Sequence, residues 1–91
     1  MIKVTKVRPG EGPRLMLQFS DGTTGDYDCS SLLAMSGPMA QPLKDPNYFN
    51  RVFVEMGAPT WPNGFDLAPS AIHKELAATG LLRRSESSAA E

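Results

Sequence analysis

Trp61, Pro62, Asn63 and Gly64 stand in succession, and a chain can hardly pass through such a run without turning. Proline fixes φ, asparagine tolerates left-handed backbone, and glycine enters that region without steric cost. The run therefore specifies a tight turn beside one large apolar ring. Directly after it, Leu67-Ala68-Pro69 through Ile72 has the layout of a helix start. Pro69 suits the first helical position, and Leu67 and Ile72 are spaced to pack across the cap as a hydrophobic staple. Turn and helix arrive as one unit, and the rest of the chain is read around it.

Upstream, Met1 to Val7 alternates apolar and polar residues, with Ile2 and Val4 sharing a side, which predicts a first strand. Two prolines and two glycines between Arg8 and Pro13 predict a surface loop. Arg14 to Phe19 puts Leu15, Leu17 and Phe19 on one face and Met16 and Gln18 on the other, so one face of this strand must be buried. Asp21-Gly22 then predicts a hairpin closed by a type I′ turn, with positive φ at both central positions. In the return strand, Thr23 to Tyr27, Gly25 points to a bulge or a close backbone approach. Asp28 sits as an N-cap before a two-turn helix over Cys29 to Met35, stopped by Ser36-Gly37-Pro38. Residues Met39 to Leu43 read as irregular. Asp45-Pro46 repeats the cap-then-proline signature for a turn of helix carrying Tyr48 and Phe49. Val52 to Val54, the turn Met56-Gly57-Ala58-Pro59 and the return at Thr60-Trp61 make a second hairpin. The last helix runs from Pro69 to about Thr79, with Ile72 and Leu76 one turn apart, and Gly80 and Leu81 suit a Schellman ending.

The expected architecture is α+β: a small antiparallel sheet of two hairpins plus an N-terminal strand, with two or three short helices packed to one side. Residues 1–82 form the single domain, and 83–91, rich in Ser, Ala and charge, form a flexible tail. A chain of 91 residues supports one modest core. Nine basic against ten acidic side chains leave a net charge of −1, which gives no global reason to seek nucleic acid or anionic membrane. No apolar run approaches the roughly 18 residues that span a bilayer, and the single cysteine cannot close an internal disulfide. A reducing cytoplasm is the expected setting.

The order Val4-x-x-Val7, then Leu17-x-Phe19-Ser20-Asp21-Gly22-Thr23 ahead of Tyr27-Asp28, then Leu43-x-Asp45-x-x-x-Phe49 with Val52 and Val54, and finally Trp61-Pro62-Asn63-Gly64-x-Asp66-Leu67-Ala68-Pro69, resembles the bacterial domain-of-unknown-function family 2442. The resemblance covers roughly residues 2–76, and the tryptophan-led run is its most specific part. It implies a small α+β fold with an antiparallel sheet and no established activity. It also implies, for some relatives, fusion to a helix-turn-helix domain or a small toxin-like genomic neighbour. This sequence ends soon after its last helix, so no direct nucleic-acid contact is expected.

The residues that tempt a chemical reading each have a structural one. Trp61 reads as a lid on the core; the alternative is an exposed anchor which, with Asn63, Met35 and Met39, makes up the candidate protein-interaction surface. His73 has no nearby Ser, Cys or second His in sequence, and Cys29 reads as a buried small hydrophobe. Asp21, Asp28 and Asp45 are explained by a turn and two caps, and Asp66 by polar bonding around the bend. Asp26 and Asp28 would share one side of their strand, but their spacings match no calcium loop. No catalytic, cofactor-binding or metal residues are therefore expected. The function expected is that of a non-catalytic interaction or regulatory module, antitoxin-like or transcription-associated, binding a protein partner or a second copy of itself. The alternative is a nucleic-acid-binding accessory protein using Lys3, Lys6, Arg8 and Arg14, or a small enzyme using Asp and His groups.

Overall fold

The computed structural model describes residues 1–35 and 37–84. β1 (Val4–Pro9), β2 (Arg14–Phe19) and β3 (Thr23–Asp28) form an antiparallel meander. A short α1 (Ser30–Leu33), a 3₁₀ turn (Gln41–Lys44) and α2 (Pro46–Phe49) follow. Then come β4 (Phe53–Glu55), β5 (Ala58–Thr60), α3 (Pro69–Ala78) and β6 (Arg83–Arg84). The main sheet has the order β1-β2-β3-β6, and β4 and β5 make a separate two-stranded ribbon. The α+β architecture is as the sequence predicts, although the second hairpin does not join the first in one sheet. It is tied to the sheet's edge by the Val4 N–H, which donates to Gly57 O at 2.8 Å.

The core lies on one side of the sheet. Leu15, Leu17 and Phe19 of β2 alternate inward, as their spacing requires, and meet Val4, Ile72, Leu76, Leu43, Phe49 and Trp61 in one buried cluster. Gly25 resolves its two predicted readings in favour of close approach: the β2–β3 register is regular there, and a Cβ would lie 2.9 Å from Leu76 Cδ1. The missing side chain lets α3 settle on β3. The bulge falls elsewhere, between Val4 and Lys6, where Thr5 is the extra residue opposite β2. It allows Val4 and Val7, three apart, both to face inward, opposite Phe19 and Leu17.

Two turns differ from expectation in an instructive way. At the first hairpin only Gly22 has positive φ, +88°, and Gly22 N–H donates to Phe19 O at 3.1 Å. Ser20 and Asp21 stay at negative φ, so the loop has three residues, with the glycine alone in the left-handed position rather than a type I′ pair. Asp21 is held there by its own side chain, whose Oδ1 accepts from the Thr23 N–H at 3.0 Å. The paired positive φ values appear instead in the second hairpin, at Met56 (52°) and Gly57 (79°), between Glu55 and its partner Ala58.

α1 is one turn rather than two, because only Leu32 and Leu33 reach the core while Ala34 and Met35 face solvent. The residues around Pro42, expected to be irregular, close into the 3₁₀ turn that buries Leu43. α3 ends as predicted at a Schellman motif: Gly80, at φ +75°, donates to Ala77 O, and Leu81 N–H donates to Leu76 O at 2.9 Å. The apolar contact passes to Leu82, which packs on the core, and Leu81 stays exposed. Arg83 and Arg84, expected to open the flexible tail, pair with Thr24 and Thr23; the rest of that expected tail, 85–91, lies outside the described residues.

Met56 has no side-chain means of easing left-handed backbone, whereas asparagine does. Met56→Asn is expected to stabilise the protein by about 0.5–1 kcal/mol, seen as a raised urea midpoint at unchanged slope.

Candidate functional site

The tryptophan bend turns inward. Trp61 is fully buried, its Nε1–H donates to Phe49 O at 2.9 Å, and its ring lies 5.7 Å from Phe49 and 5.9 Å from Phe65. The four-residue turn closes through Gly64 N–H to Trp61 O at 2.8 Å, with Gly64 at φ +91°. Asn63 is spent on the same turn. Its N–H donates to the Tyr48 hydroxyl at 2.8 Å, its Oδ1 accepts from Phe65 N–H at 3.1 Å, and its Nδ2 donates to Met39 O at 3.1 Å. Of the four candidate interaction residues, Asn63 and Met39 are thus brought together. Trp61 takes the first of its two readings, the lid on the core, and leaves the candidate interaction surface, because an indole with no exposed surface cannot anchor a partner. Met35 and Met39 are 47% and 46% exposed.

Three of the aspartates follow one pattern. Asp21, Asp28 and Asp45 each accept through Oδ1 from the backbone N–H two residues on, at Thr23, Ser30 and Asn47, as Asn63 does from Phe65. Each is an Asx-type turn: Asp45 caps α2 as the sequence predicts, whereas Asp28, expected as an N-cap, ends β3 and leaves the N-cap of α1 to Cys29. The Thr23 and Ser30 hydroxyls add second bonds of 2.6 Å. The Ser30 bonds hold the Asp28 carboxyl below its ordinary range, helped by the Arg14 guanidinium. Asp21 is lowered to about 2, chiefly by the Thr23 hydroxyl and further by His73.

His73 does have a partner, one that sequence separation conceals. Its Nε2 lies 2.9 Å from Asp21 Oδ2, and its ring stands edge-on to Phe19 at 5.0 Å. The hydroxyl bound to the same carboxylate, that of Thr23, donates to Asp21 and not to the imidazole. The group therefore clasps α3 to the β2–β3 turn, and Arg84 Nη1 completes it by donating to Asp21 O at 3.2 Å. Cys29 is buried, and its thiol is pushed up to about 12 by that burial, with Asp28 adding to the effect. Such a thiol is a packing group rather than a nucleophile.

The side of the sheet away from the core is open. Strand pairing arranges its side chains in cross-strand rows: Lys6–Gln18–Thr24–Arg83, then Arg8–Met16–Asp26, then Arg14 beside Asp28. A shallow concavity runs over Lys6, Arg8, Met16, Gln18, Thr24 and Asp26 and continues toward Leu81. Met16 is 42% and Leu81 48% exposed in it. Of the basic cluster read from sequence, Lys6, Arg8 and Arg14 share this face, while the Lys3 stem packs against Gly57. Residue spacing carries the signal for this surface, since Met16 and Gln18 oppose the inward leucines and Asp26 and Asp28 share a side. Only the strand register joins those halves into one face.

Taken together, these features define a small α+β domain in which three aspartates shape turns and whose sheet has one covered and one uncovered face. The chain belongs to the family described as "Protein of unknown function (DUF2442)", whose model matches residues 4–84. No curated protein and no solved structure matches the chain. No helix among the described residues is long and apolar enough to cross a membrane.

Two measurements follow from the bonds described. The unfolded chain binds a proton at Asp21 near its ordinary 3.8 while the folded one does so near 2, so its contribution is complete above about pH 4 and lost as pH falls toward 2. Asp21→Asn should lower stability near neutrality by about 1 kcal/mol, a figure discounted for a side chain 36% exposed, and should flatten the acid limb of urea midpoint against pH. Trp61→Phe removes the donor to Phe49 O and part of the core volume, and is expected to cost about 2–3 kcal/mol in the same unfolding assay.

Proposed function

We propose that this chain is a non-catalytic protein-binding module of the cytoplasm, of an antitoxin-like or transcription-associated regulatory kind. The observation that carries the reading is the uncovered sheet face, where Met16 sits exposed between a basic strand and an acidic one. Monomeric domains usually keep such apolar groups scattered; here Met16 and Leu81 lie along one continuous concavity edged by charge. The groups that an enzyme reading would use have other work: His73 and Asp21 clasp a helix to a turn, Asp28 accepts from the Ser30 N–H and hydroxyl, and Cys29 packs. The nucleic-acid reading is favoured by Lys6, Arg8 and Arg14 on one face, but Asp26 and Asp28 stand among them and would repel phosphate.

In a capture experiment from the native cells, the wild-type chain is expected to retain a stoichiometric protein. Met16→Glu should lose it, and Met39→Glu, on the separate bend surface, should keep it. A saturable hydrolase or nuclease activity abolished by His73→Ala or Asp28→Ala would end this reading.

A further inference from the structure

We infer that the protein covering the open face is a second copy of the chain, packed face to face about a two-fold axis running along β2. This rests on the reading of that face as a protein-binding surface and names its occupant.

The argument is one of charge and register. In the central row, Arg8 on β1, Met16 on β2 and Asp26 on β3 lie at one height along the strands. Arg8 Nη2 lies 4.0 Å from Met16 Sδ, so the guanidinium leans toward the middle of the face. The carboxylates of Asp21, Asp28 and Asp45 are engaged by their own turns, whereas the one ion pair among the described residues, His73–Asp21, leaves both Arg8 and Asp26 out. A two-fold axis parallel to β2 exchanges β1 with β3 and preserves height. It sets Arg8 opposite Asp26 of the second copy, Met16 opposite Met16, and Asp26 opposite Arg8. The row is its own complement, as an isologous interface requires. In the next row Lys6 meets Thr24 and Gln18 meets Gln18.

Charge also selects this axis over the other in-plane choice. An axis across the strands would stack β1 on β1, setting Lys6 and Arg8 against the same cations, which costs association. Arg14, near its own copy under the proposed axis, has Asp28 as its cross-strand neighbour. It also stands at the end of β2, at the rim of the paired faces, where water and salt screen the repulsion. The face offers roughly 300 Å² of flat area per copy from strand spacing and rise, well under the roughly 800 Å² that each partner of a stable complex buries. The dimer is accordingly weak and concentration-dependent.

Sedimentation equilibrium of the full chain from about 10 μM to 1 mM tests this directly. The wild type should move from monomer to dimer with rising concentration, and added salt should weaken the association. By symmetry each substitution acts twice, so Arg8→Asp alone and Asp26→Arg alone should each weaken the dimer at least about tenfold. The double variant Arg8→Asp/Asp26→Arg should dimerise like the wild type. The two single variants mixed in equal amounts should form a heterodimer. Both substituted positions are exposed, and circular dichroism checks that each variant keeps its fold. A wild type that is monomeric throughout, self-association indifferent to salt, or mixed variants that stay apart would overturn the inference. If the wild type is monomeric while Met16→Glu still abolishes capture, a different protein occupies the face and only the second-copy assignment falls. If Met16→Glu changes neither readout, the protein-binding reading falls with it.

Discussion

The indole of Trp61 organises the structure because two different requirements meet on it. It is the largest fully buried side chain, so its placement decides where the core is densest. It also carries an N–H that must find an acceptor, and Phe49 O, at the last residue of α2, supplies one. That single bond fixes α2 against the segment leading to α3. The Asn63 contacts to Tyr48, Phe65 and Met39 then hold the bend from outside. Helix starts, the 3₁₀ turn and the bend are short pieces that could not persist alone. They persist because one buried ring and its acceptor leave them a single arrangement.

The sheet depends on two close approaches that glycine permits. Gly25 lets Leu76 sit against β3, and Gly57 brings the ribbon's turn against Lys3 while its carbonyl receives Val4 N–H. The consequence is a division of labour between the two faces. Helix and ribbon gather on the core side, and the other side keeps the rows of charge around Met16. A functional surface and a stabilising one are thus built from alternate residues of the same strands, and neither can be altered along β2 without regard to the other.

Much of this was legible in the residues because local rules govern it. Asp45-Pro46, the Trp61 to Gly64 turn and the Schellman ending all depend on neighbours within six positions, and each formed where spacing placed it. The family that the residues resemble is the one whose model matches residues 4–84. What escaped was nonlocal or finely balanced. The His73–Asp21 contact joins residues far apart in sequence, the β6 pairing needs only two residues, and the turn type at Asp21 was decided by a side-chain bond competing with positive φ. For Trp61 the core-lid reading is the one the structure takes, and what sequence could not supply is the ring's acceptor, on a helix that sequence alone could not orient.

The bulge at Thr5 has an effect out of proportion to its size. In β1 the valines stand at an odd interval, and strict alternation would send Lys6 and Arg8 to the same side as Val4, into oil. One supernumerary residue reverses the phase of everything after it, so that both cations emerge and Val7 goes under. The polarity of this strand is thereby written in a count rather than in residue kinds. A lineage that lost Thr5 would bring Val4, Lys6, Val7 and Arg8 into plain alternation and need no bulge, whereas one that kept Thr5 in a straightened strand would turn the strand inside out.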